Sequence, residues 1–429
     1  MLKKNKKNKK EKTTKKEKKS IITRIKSIKI FKDDDEVTYS FKELLAIMIC
    51  SLILGFFTCF AFIKILDNGK SYHALKKDLS KLVDTYYAIT DNYYEDIDKQ
   101  ELVDGAIKGM LNSVGDVYTN YNDVETTTSF FQTVSGEYIG IGCSVTQNEQ
   151  GQIVIYEVFD DSPAASAGLQ KDDIVLEIDG EDYTKDKTSS DMSNYIKENQ
   201  NKTIKIKVQR GEETKDLKIK SDKVEMPTVK SEIIEQNNKK VGYISISVFS
   251  SVTTKQFEQA LKKVNKENIS GLIIDVRNNG GGYLSVVTDI ANKILPKNKV
   301  IYKLEKNKKI TETKDTTKEA LSYPIAILVN GNSASASEIL TAAIKESYEG
   351  FVVGTKTYGK GTVQQTTTLP DGSMLKYTVQ KWLTPKGNWI EEEGIEPTNP
   401  VELDKAYYEN PVKENDNQLS TALDLITNN

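Results

Sequence analysis

Histidine occurs once in the 429 residues, as His73. It lies just past an apolar stretch and well before any segment able to form a cleft. That scarcity argues against a Ser-His-Asp arrangement, a cysteine-histidine nucleophile pair and a helical two-histidine zinc site. Cysteine is nearly as rare. Cys50 and Cys59 fall inside the apolar stretch and Cys143 stands alone downstream, so the region after residue 64 cannot form an internal disulfide. Small residues do not precede Cys50 or Cys59 as a lipoprotein signal requires, and no Cys/His spacing fits zinc. Repeats are absent too, as are low-complexity segments after residue 43.

Charge is present in quantity but unevenly spread. Residues 1–43 hold 16 Lys/Arg and 7 Asp/Glu; taken from totals of 60 and 62, these leave 44 basic and 55 acidic residues for the remainder. A basic tail thus precedes an acidic body. Leu44 to Ile63 is twenty residues without a charge, flanked by Lys42 and Lys64. As a helix rising about 1.5 Å per residue it covers the roughly 30 Å hydrocarbon core of a bilayer. A cleaved signal peptide is the competing reading, but its apolar run is usually shorter and ends at a small-residue cleavage site. A retained anchor is expected, with the Lys-rich side in the cytoplasm and the chain after Lys64 on the outer side.

Beyond the anchor the pattern changes three times. Ser71 to Tyr121 carries apolar residues at helical spacing, in one run from Leu75 to Tyr87 and another from Leu102 to Leu111. A helical hairpin or a dimerisation element explains these equally well. Gly136 to about Asp222 reads as short strands, among them 138–145, 153–158, 174–178, 204–208 and 217–219, with one helix at 191–199. After Pro227, strands at 242–248, 272–276 and 325–329 alternate with helices at 254–264, 283–294 and 337–347, the layout of βαβ units. A hairpin of 361–369 and 374–383 follows, then a polar end with one helix near 419–426.

A hydrolase with this inventory needs a base other than histidine, and lysine is the candidate. Its reference pKa near 10.4 leaves roughly one amine in 2,500 neutral at pH 7. To be half neutral it must fall by about 3.4 pH units, roughly 4.6 kcal/mol, which lies within the range of about 3–5 units that burial provides. Three segments bear on this chemistry. Val329-Asn330-Gly331-Asn332-Ser333-Ala334-Ser335-Ala336-Ser337-Glu338 follows a buried strand and opens a helix, where free N–H groups can stabilise an oxyanion. Ser335-x-x-Glu338 fits a helix capping box just as well. Tyr358-Gly359-Lys360-Gly361-Thr362-Val363-Gln364-Gln365 is read as entering a strand, which puts Lys360, Thr362 and Gln364 on one face, with Gln364 able to hold the lysine amine. A surface lysine between turn glycines is the plain alternative, and the spacing excludes a phosphate loop. Asp275-Val276-Arg277-Asn278-Asn279-Gly280-Gly281-Gly282-Tyr283-Leu284 joins a strand to a helix through glycines whose N–H groups can face an anion. Nucleotide binding or a tight turn would account for that loop alone.

Together the segments resemble the carboxy-terminal processing proteases, or tail-specific proteases, from about residue 82 to 400. In that family a serine within Ser-Ala-Ser-Ala-Ser-Glu works with the lysine of Gly-Lys-Gly twenty-five positions later. The resemblance therefore implies Ser335 as nucleophile, Lys360 as base and Gln364, four residues on, as their partner. It implies the N–H groups of Ala336 and Gly281 as oxyanion donors, although Gly280 stands where the family has proline. Gly140-Ile141-Gly142 resembles the carboxylate-holding loop of a PDZ domain, and 162–169 a typical PDZ stretch. A peptide tail would then add as a strand beside 143–145, next to the 191–199 helix. Ala106-Ile107-Lys108-Gly109-Met110 resembles the family's helical region, with Val117 in place of proline.

The implied fold is a mixed α/β (α+β) protease core of the crotonase/Clp-protease-like type with an inserted β-rich PDZ domain, a helical N-terminal region and a single transmembrane helix. The expected divisions are 1–43 basic cytoplasmic tail, 44–63 transmembrane helix, 64–125 helical region, 126–222 PDZ domain, 223–400 protease core and 401–429 polar, partly helical end. The expected function is a membrane-anchored serine endopeptidase that takes exported proteins by their free C-terminal tails. It would use no metal, nucleotide or other cofactor, bind no nucleic acid and favour a dimer. A membrane-anchored PDZ scaffold with an inactive core is the rival.

Overall fold

A computed structural model describes residues 27–29, 38–66, 72–317 and 320–428. The expectation for the basic tail at 1–26 and 30–37 lies outside the described residues. Two compact units are present, divided between Asp104 and Gly105.

In the first unit, helix α1 spans Phe41–Leu66. It begins at a capping pair, the Ser40 N–H donating to Glu43 Oε2 at 2.6 Å, before the uncharged run propagates it. The stretch Phe41–Phe60 is long and apolar enough to cross a membrane, and none of it is buried within the structure. Helix α2, Tyr72–Asn92, follows, and α3, Lys99–Asn112, runs across the division. Leu79, Leu82, Val83 and Tyr87 on α2 are exposed.

The second unit opens with a short strand β1, Asn120–Asn122, and a helix α4, Val124–Ser135. Sequence reading missed α4 because it is rich in Thr, which weakens helix propensity. Its ends are what secure it. Asp123 Oδ1 accepts the Thr126 N–H at 2.8 Å, and Gly136 closes the helix at φ 70°.

The β-rich part starts with β2, Glu137–Gly140, and β3, Cys143–Gln147. One strand was expected over 138–145; the chain instead breaks at Ile141–Gly142. Gly142 has φ +83°, and a Cβ there would come within 2.3 Å of Ser162 Cβ. The antiparallel sheet continues through β4 (Ile153–Val158), β5 (Ile174–Ile178), helix α5 (Ser189–Glu198), β6 (Thr203–Arg210) and β7 (Glu213–Lys220). Its order is β7-β6-β5-β4-β3, and Ile153, Ile155, Val175, Ile204, Ile206 and Met192 form its core. Strand β8, Asp222–Glu225, returns to pair with β2.

The remaining chain builds a three-layer α/β/α core. Its main sheet contains β9 (Val229–Gln236), β10 (Lys239–Ile246), β11 (Gly271–Asp275), β14 (Ile325–Val329), β15 (Phe351–Gly354) and β18 (Asn399–Pro400) in that spatial order. The β9–β10 pair is antiparallel and the others are parallel. β11 and β14 are buried throughout, as strands covered on both faces must be. Alternation divides their side chains between layers. Leu272, Ile274, Ile325 and Ile327 pack under α6 (Thr253–Asn265), α7 (Leu284–Ala291) and α8 (Ala336–Ala343), whereas Ile273, Ala326 and Leu328 meet α9 (Asn417–Thr427). A second sheet has the order β13-β12-β17-β16, from β12 (Val300–Lys306), β13 (Lys309–Lys314), β16 (Thr362–Thr368) and β17 (Met374–Leu383). β1 adds to β17, with Asn120 opposite Lys376. The lysine-rich hairpin β12–β13 was not legible in the sequence, because its outer strand is mostly exposed and lacks an apolar face.

Candidate active site

Three serines open α8, and their surroundings separate them. Ser333 and Ser337 are fully buried. Their hydroxyls donate to the Val276 and Asn279 carbonyls, each at 2.8 Å, and so fasten the serine turn to the glycine loop. Ser335 is half-buried, with φ 56° and ψ −112°, a region sparsely populated by residues with a Cβ and costing about 1–3 kcal/mol. It lines a cleft of about 990 Å³ that also takes in Gly281, Ala336, Lys360 and Gln364. Among the described residues lining that cleft, the charged ones are Lys360 and Lys376.

The lysine loop is held by backbone bonds. The chain's two tryptophans point their indole N–H groups at it, Trp382 Nε1 donating to the Lys360 carbonyl at 2.7 Å and Trp389 Nε1 to the Gly361 carbonyl at 2.9 Å. Burial pushes the Lys360 amine below its ordinary value, helped by the charge of Lys376 and opposed by Glu391, Glu338 and Asp116. Its Nζ lies 4.8 Å from the centre of the Tyr118 ring. Among the described residues, no hydrogen bond joins Ser335 Oγ to Lys360 Nζ.

Glu338 links the two loops. Fully buried, its Oε2 accepts the N–H groups of Ser335 at 2.8 Å and Lys360 at 2.9 Å. Oε1 accepts Thr357 Oγ1 and the Gly359 N–H, both at 2.7 Å. Burial pushes its carboxyl above the ordinary value against the pull of these four donors. The capping-box reading of Ser335-x-x-Glu338 therefore describes half of what Glu338 does. The other half, its reach to 357–360, depends on a contact twenty residues away that spacing could not show.

The glycine loop sits directly on the Ser335 turn. A Cβ at Gly281 would approach Ser335 Cβ and the Ala334 carbonyl to 2.9 Å, so glycine is required there. The Gly281 N–H donates to Asn279 Oδ1 at 2.9 Å, an occupancy the sequence did not foretell. At the root of the loop, Arg277 pairs with Asp275 at 2.6 Å and with Asp416 at 2.8 Å, tying the loop to α9.

Gln364 lies in the cleft wall, but its amide nitrogen donates to Thr362 Oγ1 at 3.0 Å and Thr378 Oγ1 at 3.2 Å. The expected bond to Lys360 is not made. Lys360 precedes the strand, which starts at Thr362 and shifts register between Val363 and Gln364, so strand alternation does not carry from Gln364 back to Lys360. Gly140, Ile141 and Cys143 line a second groove of about 410 Å³, between β3 and α5, with Val145, Met192 and Ile196. Gly142 follows Ile141 at the break between β2 and β3. His73 falls on α2 in the first unit.

A PDZ-like sheet beside an α/β core with a serine on a strained strand-to-helix turn defines the class as a PDZ-containing serine peptidase fold. Comparison with known proteins agrees. The peptidase family S41 model matches residues 240–401, a PDZ domain model 138–221, and the activating protease CtpB N-terminal domain model 62–126. The carboxy-terminal processing protease CtpB of Bacillus subtilis (strain 168) is 37% identical over 341 residues, 79% of this chain and 70% of that protein. A "Probable CtpA-like serine protease" of Staphylococcus aureus (strain COL) is 37% identical over 333 residues; the match takes in 77% of this chain and 66%, just under two thirds, of that relative's length. The crystal structure of a "Putative S41 protease" from Bacteroides fragilis NCTC 9343 superposes with a TM-score of 0.50 at 17% identity, covering 79% of this chain and 91% of the other, a likeness of fold. The chain belongs to peptidase family S41, the carboxy-terminal processing proteases.

Proposed function

We propose that this chain is a membrane-anchored serine endopeptidase that cuts exported proteins captured by their C-terminal tails, with Ser335 as nucleophile and Lys360 as general base. The observation carrying the reading is that one buried carboxylate, Glu338, holds the backbones of both residues at the edge of one cleft. Lys360, whose amine burial pushes toward the neutral form, takes the Ser335 hydroxyl proton as Oγ attacks the scissile carbonyl. The tetrahedral oxyanion meets the Ala336 N–H, and Gly281 joins it by exchanging Asn279 for the substrate oxygen. The lysinium then gives its proton to the leaving amine, an acyl-enzyme forms, and Lys360 activates water to release it. Because Ser335 and Lys360 are not hydrogen-bonded in the free protein, the pair closes on substrate binding. Gln364 keeps the Lys360 side of the cleft in shape through its threonine bonds.

The groove at Gly140, Ile141 and Gly142 takes the tail's carboxylate, with its last apolar side chain near Met192 and Ile196. The core is of the crotonase/Clp-protease-like type, and the divisions are 1–43, 44–63, 64–125, 126–222, 223–400 and 401–429. The anchor at 44–63 leaves residues 1–43 in the cytoplasm and the PDZ and protease parts outside, supported by the Lys-rich flank. The exposed apolar face of α2 supports a dimer. A 37% identity to a protein named as a processing protease disfavours the inactive scaffold.

The test is hydrolysis of an unstructured protein with an apolar C-terminus by the full chain in detergent. Ser335→Ala and Lys360→Ala should each lose at least about 10³-fold in rate while still binding the tail. Undiminished cleavage by either variant rejects the dyad.

A further inference from the structure

The mechanism above makes no use of the segment Asp116-Val117-Tyr118-Thr119, yet the fold fixes it firmly. Asp116 Oδ1 accepts the Tyr118 N–H at 3.1 Å and Asp116 Oδ2 the Thr119 hydroxyl at 2.5 Å. Thr119 Oγ1 in turn accepts the Thr378 N–H at 3.2 Å, and the next three residues pair as β1 with β17. Val117 points outward, 84% exposed, while Thr119 is buried. The turn is thus nailed to the strand that walls the catalytic cleft, and the aromatic side chain it presents is Tyr118, whose ring centre lies 4.8 Å from Lys360 Nζ.

We propose that Tyr118 is a positioning residue for the Ser335–Lys360 reaction: its ring face seats the Lys360 amine and keeps water from it, so the segment before the PDZ-like sheet completes the general base. The inference rests on the serine-lysine reading above. A ring against an amine has two opposed effects. Its face attracts the protonated form, moving a lysine by about 0.4 to 1.5 pH units, whereas its bulk excludes water and burial moves lysines by up to about 3–5 units. Exclusion of water is the larger effect, in line with burial as the leading cause that holds Lys360 down. The other groups facing the amine are Lys376 on β17, Glu391 after it, Glu338 on α8 and Asp116 in the same turn. Tyr358 faces the Tyr118 hydroxyl, and burial with Glu391 and Tyr358 keeps that hydroxyl protonated far above the ordinary tyrosine range. The ring, and not an ionised phenol, is therefore what meets the lysine.

The experiment is kcat and KM for one peptide substrate from pH 6 to 10, using the full chain in detergent with Tyr118→Phe and Tyr118→Ala. Tyr118→Phe should stay within about twofold of the parent at every pH, since the ring is kept. Tyr118→Ala should lose about 10- to 100-fold in kcat near pH 7, with its rate limb moved toward the ordinary lysine value, so that the loss shrinks as pH rises while KM holds. A parent-like pH profile in Tyr118→Ala, an equal loss at all pH values, or a phenylalanine variant as impaired as alanine would each overturn the proposal. If Tyr118→Ala does not fold, Tyr118→Gln, which keeps bulk but admits water, must move the limb the same way. Ser335→Ala serves as control. Activity persisting there defeats the serine-lysine reading, whereas an inert Ser335→Ala beside an unaffected Tyr118→Ala defeats only the role of Tyr118.

Discussion

The cleft at Ser335 and the groove of the PDZ domain share a wall, Ser129 and Thr133 of α4, yet they are held by different means. The cleft is held by polar groups that must be satisfied in place: a buried glutamate with four donors, two indole N–H groups on one loop and a strained serine. The groove is lined by Ile139, Ile141, Val145, Met192 and Ile196, with Gln132, Lys197 and Gln200 among its polar residues. A buried polar network tolerates little displacement, because each lost partner leaves an unsatisfied group. An apolar groove loses affinity in proportion to the contact removed. On the proposed function, damage to the cleft should appear in kcat and damage to the groove in KM.

The largest expected break in that contrast is Glu338→Gln. The amide places a donor nitrogen against N–H groups that need an acceptor, so the loops of Ser335 and Lys360 part. We expect kcat to fall about 100-fold with KM and tail affinity unchanged; a fall in affinity alone would erase the distinction. Val145→Asp should do the converse, weakening tail binding about tenfold through a charge in the groove while kcat at saturation is retained, as read by titrating a labelled tail peptide.

A smaller effect separates stability from activity within the cleft. The folded state depresses the Lys360 pKa, so between the folded and unfolded values the unfolded chain binds more protons and stability rises with pH. The cost of the lysine is complete below its folded pKa and vanishes above about 10.5. Lys360→Met, though inert, should therefore be more stable than the parent at pH 7, by about 1 kcal/mol or less, with the gain disappearing toward pH 11 in thermal melts. A destabilised Lys360→Met would mean that burial does not lower the pKa of the amine. A last expected effect concerns Cys143, whose thiol burial pushes up to about 12. Iodoacetamide at pH 8, followed by peptide mapping, should label it about 10³-fold slower than the unfolded chain, as its thiolate fraction dictates.

Much of the core was legible because its signals are local. Buried strands such as Ile325–Val329 show as continuous apolar runs, and the hairpin 362–383 shows through its Pro-Asp-Gly turn. Elements without such a signal were missed. The α4 helix depends on its caps, and β8 is a short strand whose partner, β2, lies more than eighty residues earlier in the chain. The site divides in the same way. Ser335 and Lys360 stand out through the serine-to-lysine separation of the family they resemble, but Gln364 does not make the bond expected of it, because a register shift is set by the partner strand. Glu338 was seen only as a cap, and Tyr118 went unnoticed, since nothing in its neighbourhood announces contact with a residue 242 positions later.

By itself the sequence determined the chemical inventory: one histidine out of reach, a serine and a lysine at a telling spacing, and an apolar run long enough to cross a bilayer. Tertiary structure alone decided which of three adjacent serines faces the cleft, what ties that serine to the lysine and what covers the amine. The reason is physical. Residue type limits which protons can move, but the exposure of Ser335 comes from a single backbone turn at φ 56°. The dryness of Lys360 comes from side chains that only folding assembles around it.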